Sequence, residues 1–241
     1  MRMTPIFRVS LQALLTGRRW LLVLALAALY VALALILATT TSGDHAQQYV
    51  SLFLDLVLPF MVPFIALLFA SDALGAEVED RTIVFLTLRP LPAWEIVLPK
   101  FAAAALVTLA ATWTPLVIGF LLLAAGEAGL LPAALAASGL GAVAYCAIFL
   151  LLGLIQRRAL LIGAIYILLW EGAIAALSTG AAHLSVRFYA LGVFVGMMNR
   201  KDLLPSGLAS PAAEGAALFL AVVTVAAAAQ TAYRLRRVQL Q

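Results

Sequence analysis

The chain has little of what soluble enzymes use. Of its 241 residues one is cysteine, two are histidine, and only 11% are charged, against roughly 25% in an average soluble domain. The lone Cys146 allows no intrachain disulfide and no thiolate metal cluster; in its apolar surroundings it reads as a small packing residue. His45 and His183 lie too far apart in sequence for metal-ligand spacing. No G-x-x-x-x-G-K-S/T loop occurs, and no glycine precedes a lysine anywhere, so no phosphate cradle of that kind is encoded. No pattern of Ser, His and Asp supports a triad, and there is no tandem repeat or Gly/Ser linker.

Apolar residues are what is abundant: 65% of the chain, with a mean hydropathy of +1.11. A soluble globule of this size cannot remove that much apolar surface from water. The expected class is therefore all-α and polytopic, one membrane domain over residues 1–241, because helices satisfy their own backbone in lipid and strand alternation is absent. Six apolar runs are long enough to span, at about 20 residues each: Trp20–Ala38, Val50–Ala70, Val97–Ala125, Leu130–Ile155, Ala159–Ser178 and Ala212–Tyr233. The first follows Arg18-Arg19 but is too long for a signal-peptide core and lacks a clear cleavage site, so it reads as a retained helix.

The net charge of +4 belongs to topology rather than to nucleic acid, since no basic run carries interleaved aromatics. With both termini inside, twelve of the fifteen Lys and Arg fall on the inner side; only Arg187, Arg200 and Lys201 fall outside. That asymmetry fits the positive-inside rule. The expected place is a bacterial or archaeal cell membrane, with both termini cytoplasmic. Residues 1–18 read as a basic amphipathic helix lying in the interface, or as a simple overhang. The 11-residue run Phe188–Met198 is too short to span. Within the external segment 179–211 it reads as a re-entrant or interfacial piece, or as a surface helix. Its Gly192 and Gly196 have the G-x-x-x-G spacing that permits close helix approach.

Most of the remaining charge crowds one cytoplasmic segment, 72–100. It holds Glu77, Glu79, Asp80, Arg81, Thr82, Arg89, Pro90, Glu95 and Lys100 around a nearly apolar centre, Ile83–Leu88. Such a mixture predicts short helices under the membrane, ended by Pro90 and Pro92. One face would rest on the bundle and one would meet a partner; a merely solvated charged face is the plainer reading. Two acids fall inside spans, Asp55 and Glu171. Charge at membrane depth is costly, which makes both candidates for a translocation path or gate. For Glu171 the alternative is a hydrogen bond that holds the bundle together; for Asp55 it is simple access to water near the membrane surface.

At the charged segment a family resemblance emerges. Glu79-x-Arg81-Thr82, then Leu88-Arg89-Pro90-Leu91-Pro92, then Glu95 and Lys100, resemble the stretch between the second and third helices of ABC-2 type transporter permeases. Arg81 stands where that family often has glycine, and Pro99 precedes the lysine where glycine is common. Tyr166 through Trp170-Glu171-Gly172 looks like the fifth helix of many small members. The resemblance implies an exporter permease of six helices with a coupling helix at 72–100. It implies no cofactor on this chain and ATP-Mg on a separate ABC ATPase, present in two copies. It further implies a second permease copy, identical or related. A second reading keeps the fold but makes the chain a mechanical partner of a periplasmic protein in cofactor or metalloenzyme maturation. A third, an integral-membrane enzyme, lacks converging polar residues.

Overall fold

The computed structural model describes residues 3–17, 19–40, 43–79, 92–156, 158–174, 182–205 and 207–239, with backbone alone at 3–6, 76–79, 172–174 and 238–239. All regular structure among them is helical. In chain order the elements are α1 (Met3–Leu15), α2 (Arg19–Thr40), α3 (His45–Leu52), a π-helical stretch π1 (Phe53–Met61) and α4 (Val62–Glu79). After these come α5 (Ala93–Leu123), α6 (Leu130–Ile155), α7 (Ala159–Ile165), a second π-helical stretch π2 (Tyr166–Ile174), α8 (Val186–Met197) and α9 (Ala213–Gln239). Among the described residues five helices are long and apolar enough to cross a bilayer: α2, the continuous rod His45–Gly75, α5, α6 and α9. The chain thus has the make-up of a multi-pass membrane protein. The run expected at Ala159–Ser178 is helical over α7 and π2; its remainder lies outside the described residues.

Helix ends follow local chemistry. Asp44 caps α3, its carboxylate accepting from the Ala46 N–H at 2.9 Å, and Ser185 caps α8. Pro92 precedes the first turn of α5, where Glu95 meets the positive end of the helix dipole. Both Pro99 and Pro115 lie within α5 without ending it.

The core is built on small residues. α6 buries Ala133, Ala134, Ala137, Ser138, Gly141, Ala142 and Gly153, and α4 packs on it. Where the lipid tails are as apolar as any side chain, close backbone approach and van der Waals contact replace the hydrophobic drive. At Gly153 a Cβ would run into the Ser71 carbonyl of α4, so the two backbones touch there. Tyr30 of α2 lies flat on Gly119 of α5 in the same way. The larger side chains fill the gaps between: Phe53 with Phe194 at 4.5 Å between ring centres, and Tyr189 stacked on Phe219 at 3.7 Å. α2 and α9 are peripheral. α2 buries only Val23, Tyr30 and Ala34, and presents Leu21, Leu22, Leu24, Leu29, Leu35 and Ile36 outward.

Polar fastenings mark the two ends of the bundle. At one end Arg19 forms a two-pronged ion pair with Asp72 of α4, one prong at 2.5 Å, and donates to the Leu68 carbonyl at 3.4 Å. At the other end Arg200 reaches Glu127 at 2.7 Å, Asp202 at 2.9 Å and Asp44 at 3.8 Å. One guanidinium thereby gathers three connections, and it holds the exposed Asp202 carboxyl below its ordinary range.

The contact at Gly153 makes a direct prediction. Gly153→Ala should destabilise the bundle by about 1–3 kcal/mol, the usual cost of overpacking. Gly126→Ala, where nothing lies within 4 Å, should be near neutral. Thermal unfolding in detergent reads the difference; equal effects would refute the backbone contact.

Candidate functional site

Glu171 is fully enclosed, with 0% of its surface exposed. Both carboxylate oxygens accept hydroxyl hydrogen bonds. Tyr166 donates to one at 3.0 Å, and Ser185 donates to the other. Tyr166 and Glu171 are five residues apart, a spacing that points side chains about 140° apart on an α-helix. The wider turn of π2 brings them together. The Ser185 hydroxyl also accepts from the Phe188 N–H at 3.4 Å, so one group caps α8 and binds the acid. Tyr145 of α6 is buried within electrostatic reach of Glu171, Tyr166 and Arg187, though its hydroxyl makes no hydrogen bond of good geometry.

Arg187 completes the cluster. It donates to the Glu171 backbone carbonyl at 3.3 Å and to the Leu54 carbonyl at 3.4 Å. Both carbonyls belong to π-helical stretches. The Leu54 contact has a specific cause. In the i→i−5 register of π1, visible where the Val62 N–H reaches the Val57 carbonyl, the partner of Leu54 is residue 59. That residue is Pro59, which has no N–H. Arg187 supplies the missing donor. A single cation thus ties α8 to both π-helical stretches. Such insertions in helices are frequent at functional sites.

Asp55 follows Leu54 but is exposed on the other side of π1. It opens on a notch of about 370 Å³ with Asp44, Gln47, Gln48 and Ser51. These residues recur every three to four positions, so they form one polar stripe down an otherwise apolar rod. Asp55 and Glu171 therefore share neither a cavity nor an environment: one lines the notch, the other is enclosed.

Among the other sequence candidates, Lys100 is buried, 5% exposed, and donates to the Ala73 carbonyl at 2.7 Å. Glu95 is half-buried in the first turn of α5. Glu77 and Glu79 are in the last turns of α4, where only the backbone is described, and Asp80, Arg81, Thr82, Arg89 and Pro90 lie outside the described residues. Gly192 and Gly196 face the chain that enters α9. A Cβ on Gly192 would meet Pro211 at 2.6 Å, and one on Gly196 would meet Ala213. Their spacing serves helix packing. Among the described residues no group of His, Cys, Asp and Glu is arranged to hold a metal ion. No protein-family model matches the chain, and no curated protein matches it.

Sequence reasoning passed over Ser185, Arg187, Tyr145 and Pro59. The signals were a proline inside a span, a Tyr and Glu spaced by five, and a Ser-x-Arg at the head of a short apolar helix.

If Arg187 stands in for the N–H that Pro59 lacks, the two positions must be coupled. Arg187→Met should cost about 1–3 kcal/mol by leaving buried carbonyls unpaired. In a Pro59→Ala background the cost should shrink, because an alanine at that position has an N–H to give to the Leu54 carbonyl. Thermal unfolding of the four proteins gives the coupling; an equal cost in both backgrounds would sink the explanation.

Proposed function

We propose that this chain is the permease subunit of an ABC exporter, with ATP bound and hydrolysed by a separate ATPase. The observation that carries the reading is the base of the charged segment 72–100. Lys100 binds the Ala73 carbonyl across that base, so α4 and α5 are fastened where the segment leaves one and enters the other. A push delivered to the segment passes into both helices together. In this reading Glu77, Glu79, Asp80, Arg81, Thr82, Arg89 and Pro90 meet the ATPase, while Glu95 and Lys100 anchor the segment to the bundle. The resemblance of residues 79–100 and 166–172 to ABC-2 permeases supports it, as does the lack of a phosphate loop on this chain.

The topology we assign has six spans, the fifth begun by α7 and π2, in a bacterial or archaeal cell membrane with both termini cytoplasmic. The Arg19 end is then inner and the Arg200 end outer. Segment 179–211 enters and leaves from the outer side. Arg187 lies against Leu54, about 15 Å of helix below Asp44, yet Arg200 is back beside Asp44. That return supports a re-entrant α8. The path is assigned to a pair of permease copies, identical or related, served by two ATPases. The polar stripe ending at Asp55 favours it, because a stripe of this kind needs water or a second copy rather than lipid. Glu171 fits the role of a fastener between the fifth helix and α8.

The test is co-expression with an ABC ATPase encoded beside it, followed by co-purification and substrate-stimulated hydrolysis. Arg89→Ala should dissociate the pair or uncouple hydrolysis from transport. Asp55→Asn should alter transport while leaving assembly intact. Full coupling after the Arg89 change, or no association with the ATPase, would refute the assignment.

A further inference from the structure

At the Arg19 end a pocket of about 290 Å³ opens between α2, α4 and α7, lined by Arg19, Asp72, Gln156, Arg158, Leu160 and Leu161 among others. That is far more than the roughly 10–15 Å³ that holds one water. Its charges are unequal. Arg19 and Asp72 neutralise each other in a two-pronged pair. Ser71 spends its proton on the Leu67 carbonyl at 2.6 Å. Arg158 is exposed and pairs with no carboxylate among the described residues. Among the described residues the pocket therefore carries one positive charge without a carboxylate partner, with the Gln156 amide beside it.

Above the pocket the surface is apolar. Phe64 stands eight residues before Asp72 on α4, with the buried Leu68 between them. Phe64 is half-buried, and Leu160 and Leu161 of α7 are exposed at 41% and 58%. Leu21 and Leu22 of α2 project outward on the other flank. A cationic pocket beside exposed apolar side chains has the polarity of one lipid.

We infer that this pocket binds the phosphate of an anionic glycerophospholipid, with Arg158 as the charge partner and Gln156 as a further donor. The acyl chains lie along the exposed Leu160 and Leu161 and the half-buried Phe64. On the orientation proposed above the lipid belongs to the cytoplasmic leaflet, but the site itself does not rest on the transport reading. Basic pockets between membrane helices recognise headgroups in this way.

The test uses the full chain purified in neutral detergent, with native mass spectrometry and thermal shift as readouts. The probes are dioleoyl phosphatidylglycerol, dioleoyl phosphatidylcholine and inorganic phosphate. Phosphatidylglycerol should bind at least roughly fivefold more tightly than phosphatidylcholine, the worth of one basic residue at an anionic surface. Arg158→Gln should remove that preference while leaving the lipid-free unfolding temperature unchanged, and Arg158→Lys should keep most of it. Equal binding of the two lipids, or an unaltered preference in Arg158→Gln, overturns the site. Inorganic phosphate that stabilises as well as phosphatidylglycerol and displaces it would assign the pocket to a free phosphate and overturn the lipid.

Discussion

A backbone carbonyl that its own helix cannot satisfy lies at Leu54, and α8 with its polar cluster is arranged around it. Within hydrocarbon no water can take the place of the missing donor, and an unpaired peptide group there costs several kcal/mol. The donor comes from Arg187, which must itself be carried to that depth. α8 brings it, and Ser185 fixes the head of α8 by capping the helix and binding Glu171. The acid, the hydroxyls and the guanidinium form one connected network, each group satisfying another. Such networks are rigid when complete and costly when any member is lost.

The two ends of the molecule use charge differently. Around Arg200 one cation meets three acids, half in water, where ion pairs add little stability singly but hold connections in register. Around Arg19 the pairing is one to one, with Asp72. The buried Lys100 stands apart from both: its ammonium is held by α4's backbone, joining two helices on either side of the charged segment.

The long helices were legible because their signal is additive. Leu130–Ile155 was read to the residue, and Trp20–Ala38 to within two residues of Arg19–Thr40, since every Leu, Ala and Val in a run votes the same way. The rod His45–Gly75 began earlier than Val50 because Asp44 caps it, and hydropathy ignores caps. The π-helical stretches were not legible. An extra residue in a turn leaves hydropathy unchanged, and Pro59 in a run of Leu, Val and Phe gives no sign of the wider turn. Glu171 stood out as a charge in an apolar run, and a bundle-holding hydrogen bond was among its readings. Its partners did not stand out, since Ser185 and Arg187 gain meaning only from residues brought near by folding. Leu54, for instance, is 133 positions from Arg187.

The peripheral α2 is held on one side. Its 22 residues make a rod about 33 Å long, slightly more than the roughly 30 Å of hydrocarbon it would cross. Three buried side chains, Val23, Tyr30 and Ala34, grip the rest of the protein, with Trp20, Leu26, Val31, Leu37 and Ala38 partly buried against the core. The outward side of α2 is apolar, while α4 and α6 meet backbone to backbone at Gly153. A rim helix with an apolar outer side meets the lipid, and the polar cluster at Glu171 stays enclosed within the bundle.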